Sequence, residues 1–272
     1  MRLLTLKSIL VATDLGESSR AALRTAARLA ELAGAKLHVL HVEEIPGAAN
    51  RLSVEEHFRL SVPGAREPDD TYLLPGSPAD VIVAQAARVG ADTIVLGPHR
   101  RPESAGELGS TASRVVRTAS CPCLVAATEL RLPLERVVAP IDLSPAAGAA
   151  LSVALSWSSA LRPRGGEVRL TALHVTPGPA TREAEAAVRS EVESARARAG
   201  WAAQVEIGER IAPGEDPAGT ILAAAAAEPV DLLVMGTRGA ALAASGFGSV
   251  SAAVVRATPC PLLLVPPAAS AP

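Results

Sequence analysis

"ILVATDLGESSRAALRTAARLAELAGAKLHVLHV", residues 9–42, returns later in the chain as "VVAPIDLSPAAGAALSVALSWSSALRPRGGEVRLTALHV", residues 137–175. The match sets Asp14 against Asp142 and His41 against His174. It continues as "LLPGSPADVIVAQAARVGADTIVLG" (73–97) beside "IAPGEDPAGTILAAAAAEPVDLLVMG" (211–236), with Ile82 facing Ile221, Asp92 facing Asp231 and Gly97 facing Gly236. "GSTASRVVRTASCPCLVA" (109–126) and "GSVSAAVVRATPCPLLLV" (248–265) close the two copies. A repeat of this length governs every other reading of the fold. It predicts one domain duplicated, spanning 1–129 and 134–267 and joined near "TELRLPLER". Domains of roughly 130 residues are large enough to bury their own cores.

Each copy alternates two kinds of pattern. Short runs rich in Val, Ile and Leu ("ILVAT", "KLHVLHV", "DTIVLG", "CLVA") suit strands buried on both faces, as parallel strands are. Longer stretches between them have helical spacing. In "SSRAALRTAARLAELAG" residues Ala22, Leu23, Ala26, Ala30 and Ala33 share a stripe, a serine pair can cap the start and Gly34 can end it. In the second copy, Ser144 followed by Pro145 supplies the preferred N-cap and first-turn residues. Alternating strands and helices imply a parallel sheet with right-handed crossovers. The copies diverge in the middle: "ATREAEAAVRSEVESARARA" (180–199) reads as one charged amphipathic helix, whereas its counterpart is broken by Pro63, Gly64 and Pro68.

Composition narrows the function. The net charge is −2, with 26 basic and 28 acidic residues, and both halves are balanced, so neither half presents a polyanion-binding charge. Five aromatics give little surface for stacking single-stranded bases, and no nucleic-acid partner is expected. "MRLLTLKSILVATD" has its apolar run interrupted by Lys7 and followed by Asp14, which reads as a first strand and not a signal peptide. Elsewhere no apolar run reaches the roughly 18 residues needed to cross a bilayer. A cytoplasmic protein without membrane association is expected. Three cysteines fit reduced thiols better than a disulfide framework.

In a doubly wound sheet a ligand favours the carboxyl ends of the strands, where the strand order reverses. With order 3-2-1-4-5 in each copy, Asp14 and Asp142 end strand 1 while Gly97 and Gly236 end strand 4, so they flank one crevice. "MGTRGAALAASGFGSVSAAVV" (235–255) then carries four glycines from strand 4 into a helix. Glycines let main chain approach phosphate oxygens, and a helix start offers free N–H groups and positive potential. An aspartate at the end of strand 1 can accept hydrogen bonds from a nucleoside.

A strand-1 Asp, an "HV" ending strand 2, "DLLVMG", a glycine loop closing on "GS" and a final "CPLLLV" together resemble the universal stress protein family, in tandem and over nearly the whole chain. The resemblance implies two adenine nucleotide alpha hydrolase-like α/β domains, five parallel strands each, about a pseudo-two-fold axis, their exposed fifth strands "CLVAA" and "LLLVP" covered by pairing. A further homodimer is compatible with it. It also implies ATP as ligand, accompanied by Mg2+, and a regulatory role in stress. Carried over by position, Asp142 meets the nucleoside, Val175 meets adenine through its backbone, Gly236, Gly239, Gly248 and Ser249 meet the phosphates, and Val250 joins them in the binding set. The first-copy counterparts are Asp14, Val42, Gly97, Gly109 and Ser110. Arg100 fills the second glycine position in the first copy, which makes the second copy the expected site. Both loops are one residue shorter than the family spacing.

Other features admit plainer readings. Cys121 and Cys123 in "CPC" lack further metal ligands and read as buried thiols before the last strand. His41 and His174 recur at strand-2 ends, where a histidine tied to backbone is the expected role, since no nucleophile accompanies them. His99 and Arg101 stand in the first glycine loop as either phosphate contacts or solvated residues. The only lysines are Lys7 and Lys36, so the lysine of a P-loop is missing. ATP turnover would be slow at most, and no catalytic residue is assigned. A scaffold acting through protein partners and a slow ATP-hydrolysing α/β enzyme stand as the alternatives.

Overall fold

The structure is a computed structural model and describes residues 6–45, 47, 49–98, 109–200, 205–237 and 248–267. The chain divides into two compact units, Thr5–Leu130 and a second that contains Arg131–Pro272.

The first unit runs β1 (Ser8–Thr13), a short 3-10 turn (Glu17–Ser19), α1 (Arg20–Ala33), β2 (Lys36–Glu43), α2 (Arg51–Ser61), β3 (Asp70–Pro75), α3 (Pro78–Arg88), β4 (Thr93–Leu96), α4 (Ser110–Thr118) and β5 (Cys123–Val125). Its strands lie in the order β3-β2-β1-β4-β5 and pair in parallel. The second unit repeats the plan with β6 (Arg136–Pro140), α5 (Pro145–Ala160), β7 (Arg169–Thr176), α6 (Arg182–Ala199), β8 (Glu206–Pro213), α7 (Pro217–Ala227), β9 (Leu232–Gly236), α8 (Ser249–Ala257) and β10 (Leu262–Val265). Here the order is β8-β7-β6-β9-β10, again parallel. Each unit is thus the expected doubly wound α/β domain, its order reversing between the first and fourth strands.

The central strands are apolar on both faces because helices cover both: Ile9, Leu10, Val11, Ile94 and Val95 are fully buried. α1 follows its apolar stripe and stops at Gly34, whose φ of 64° places it in the left-handed region that ends helices. Its serines do not cap it. Ser19 occupies the N-cap without a side-chain bond to the helix, and its hydroxyl instead donates to the Gly16 carbonyl and meets Thr13 Oγ1 at 2.8 Å. α5 does begin as expected, with the Ser144 hydroxyl accepting from the Ala147 N–H at 3.2 Å and Pro145 in the first turn.

One matched pair of residues has a structural duty. Asp92 accepts from the backbone N–H groups of Lys7 and Ser8 at 2.6 and 2.9 Å, and Asp231 does the same for Glu135 and Arg136 at 2.9 and 2.8 Å. Each carboxylate clamps the start of the central strand to that of its neighbour, which fixes the register that positions the opposite, carboxyl end. Among the described residues no helix is long and apolar enough to cross a membrane.

Candidate functional site: the crevice at the carboxyl strand ends

Where the strand order reverses, the crossover helices leave on opposite faces and a crevice opens between β1 and β4. In the first unit it encloses a cavity of about 330 Å3 that is more apolar than polar. Thr13 and Asp14 come from the end of β1, His41 and Val42 from β2, Gly97 from the end of β4 and Thr111 from the first turn of α4. Leu40, Ile82 and Leu96 supply apolar wall, and Glu43 and Glu44, at and just past the end of β2, also line the cavity.

The loop after the central strand is built alike in both units. Asp14 accepts from the Gly16 N–H and the Ser18 hydroxyl, both at 2.9 Å. Asp142 accepts from the Ser144 N–H at 3.1 Å and its hydroxyl at 2.5 Å. Between aspartate and serine lies a leucine with positive φ, 61° at Leu15 and 62° at Leu143. A Cβ-bearing residue there is strained by roughly 1–2 kcal/mol, and such outliers gather at ligand sites. Sequence reasoning did not find them, since leucine carries no signal for the left-handed region.

The histidines take the expected supporting role. His41 Nδ1 lies 2.8 Å from the Thr13 carbonyl, and His174 Nδ1 lies 2.8 Å from the Ile141 carbonyl. A carbonyl only accepts, so Nδ1 carries a proton and donates in both. His57 of α2, which its sequence gave no reason to choose, stands beside Ser19 of the crevice wall. Its Nε2 stands 3.4 Å from Ser19 Oγ, and burial, with Arg20 beside it, holds its pKa below 6.5.

The helices that follow β4 and β9 start on bare glycines. Gly109 and Gly248 are the N-caps of α4 and α8, and among the described residues no side chain caps either helix. The Gly109 N–H donates to the Pro98 carbonyl at 3.2 Å and the Gly248 N–H to the Thr237 carbonyl at 2.9 Å, so both glycine loops close at the neck in the same way. Ser110 and Ser249 are the first residues of their helices. Val250 follows, and the Ser251 hydroxyl ties α8 to β9 by donating to the Gly236 carbonyl at 2.9 Å. Gly97 has a packing reason to be glycine: a Cβ there would stand 2.7 Å from the Ser18 carbonyl oxygen. Val175 sits on β7 in register with Ala212, as Val42 sits on β2 with Leu74. Gly239, His99, Arg100 and Arg101 lie outside the described residues.

The thiols are inert. Burial raises the Cys121 pKa to about 11 and pushes Cys123 and Cys260 up as well, so all three stay protonated. Among the described residues no three side chains of the His, Cys, Asp and Glu types gather to hold a metal.

With this geometry in place, comparison with known proteins is decisive: the Universal stress protein family profile matches residues 5–127 and again 133–266. The chain belongs to the universal stress protein family. A universal stress protein of Thermus aquaticus, encoded in the QAH/OAS sulfhydrylase 3' region, is 41% identical over 134 residues, 44% of this chain and 97% of that one. A solved universal stress protein from Archaeoglobus fulgidus superposes with a TM-score of 0.71 at 21% identity, covering 96% of this chain and 98% of its own. A structure from Pseudomonas aeruginosa gives 0.69 at 18% identity over 98% and 95%. These two show a shared fold across both repeats.

Proposed function

We propose that this tandem universal stress protein binds an adenine nucleotide in the crevices at its carboxyl strand ends, with the second repeat taking ATP, and that occupancy regulates partner contacts during stress. The observation that carries this reading is the cavity of the first repeat, where Asp14, Val42 and Gly97, far apart in sequence, line one space of about 330 Å3. That volume is at the small end of ligand pockets and suits a nucleoside whose phosphates extend outward. Ribose hydroxyls would donate to Asp14, adenine would lie along Leu40, Val42 and Ile82, and phosphates would meet the uncapped start of α4. The carboxylates of Glu43 and Glu44 would repel a phosphate placed beside them, so the nucleoside end would lie against them.

The second repeat offers Asp142, Val175, Gly236, Gly248, Ser249 and Val250 at matching places, and its loop also carries Gly239 where the first has Arg100. That substitution is the reason to assign the triphosphate to the second repeat; any Mg2+ would arrive on the triphosphate. Titration of the full chain with labelled ATP is expected to saturate below millimolar concentration. Asp142→Ala and Gly239→Val are each expected to weaken binding by about tenfold, the usual cost of one charge-assisted or close main-chain contact. Absence of saturable binding would leave the scaffold reading, which draws on the packing duty of Gly97.

A further inference from the structure

At the amino end of the second repeat's sheet, opposite the nucleotide crevice, lies a charge arrangement that folding alone disfavours. Arg136 on β6 is in direct register with Arg169 on β7. Neighbouring strands lie about 4.8 Å apart, and like charges so placed repel. Arg210 on β8 is in register with Leu173, four residues beyond Arg169 and on the same face. All three arginines are exposed and line one open cleft of about 210 Å3, together with Ala224 and Val230. Among the described residues, Glu228 is the only carboxylate in its lining.

None of the three guanidinium groups makes an ion pair with a described residue, although Glu206 is in register with Arg169 on β8. The chain pairs arginines elsewhere, as Arg114 with Asp80 and Arg198 with Glu191, both at 2.7 Å. Nor does the fold need this cluster. In the first repeat the corresponding register sets Ser8 against Lys36, and the third strand carries Tyr72 at the place of Arg210. A local rule broken without structural return points to a ligand.

We infer that this cavity binds a compact oligophosphate anion. Guanidinium forks match phosphate oxygens two at a time, and three of them against one carboxylate leave the charge that two linked phosphates would neutralise. The volume falls below the roughly 300 Å3 at which drug-sized pockets begin, which suits an anion of pyrophosphate size. The site is separate from the nucleotide crevice and stands or falls independently of it.

Calorimetric titration of the full chain with pyrophosphate, without divalent metal and at low salt, tests the assignment. Saturable binding is expected, weakened by about tenfold in Arg169→Gln and lost when Arg136, Arg169 and Arg210 are all changed to Gln. It should persist in Gly239→Val, whose change lies in the glycine loop. Without anion, the triple variant should melt no lower than the wild type, because removing repulsion costs nothing. No saturable heat at about 1 mM pyrophosphate, a scale corresponding to about 4 kcal/mol, would overturn the assignment. So would binding that survives the triple change or disappears in Gly239→Val, or a triple variant that melts lower without anion.

Discussion

Leu15 and Leu143 are the only described non-glycine residues with positive φ, and each follows the aspartate of its crevice. The turn is held by the aspartate's own bonds to the loop, which draw the next residues back over the carboxylate. Gly97 completes this fit in the first repeat, because the loop backbone at Ser18 fills the space its side chain would need. Gly97→Ala is therefore expected to destabilise the first repeat by about 1–3 kcal/mol, as overpacked sites do, read as a lower urea midpoint with unchanged slope. His57 supplies a pH dependence. Its folded pKa is lowered by burial and then by Arg20, so the protonated form is less favoured folded than unfolded. Its contribution is complete above the unfolded value of 6.5 and is lost as pH falls through the lower folded value. The melting temperature should fall as pH drops below 6.5, and His57→Gln should flatten part of that fall; an identical slope in the variant would reject the role. Of the residues round the crevice, Asp14, His41 and Gly97 were legible because the repeat picked each out twice. His57 and the strained leucines were not, since ring environment and dihedral angle follow from tertiary contacts.

The helix starts separate stability from ligand chemistry. Ser144 caps α5 and its hydroxyl also holds Asp142, so Ser144→Ala should cost about 1 kcal/mol in chemical denaturation. Ser249 stands one place inside α8, where no side chain among the described residues caps the helix. Ser249→Ala should leave denaturation within about 0.5 kcal/mol of wild type, the usual range for changes away from such features. A selective loss of ATP affinity in that variant would support a phosphate contact, and unchanged affinity would remove Ser249 from the site. The sequence made most elements legible because strands buried on both faces write unbroken apolar runs. β8 wrote none. Its residues Glu206, Glu209 and Arg210 are exposed, and an edge strand with one covered face carries too few apolar positions to stand out from a loop. β3 is similar, with only Thr71 buried among its six residues. Both were implied only by the strand order that the repeat demanded.

Duplication gives the molecule two cores, and binding can then be read as the stabilisation of one of them. The Leu10, Leu40 and Ile94 side chains are buried in the first repeat and those of Leu151, Trp157 and Leu233 in the second, each set within its own unit. A ligand that binds only the folded form of one repeat stabilises it by about 2.7 kcal/mol at a hundredfold excess over its Kd. For a domain of this size that shifts the melting temperature by roughly 5–15 °C. Calorimetric melts with and without ATP should therefore move the transition of the second repeat more than that of the first. Asp142→Ala should abolish the larger shift and Asp14→Ala should spare it. The reverse pattern would move the ATP site to the first repeat, where the described cavity lies and where Arg100 would have to serve the phosphates in place of glycine. Equal shifts, both lost only in the double variant, would mean that the two copies have kept one chemistry despite their different loops.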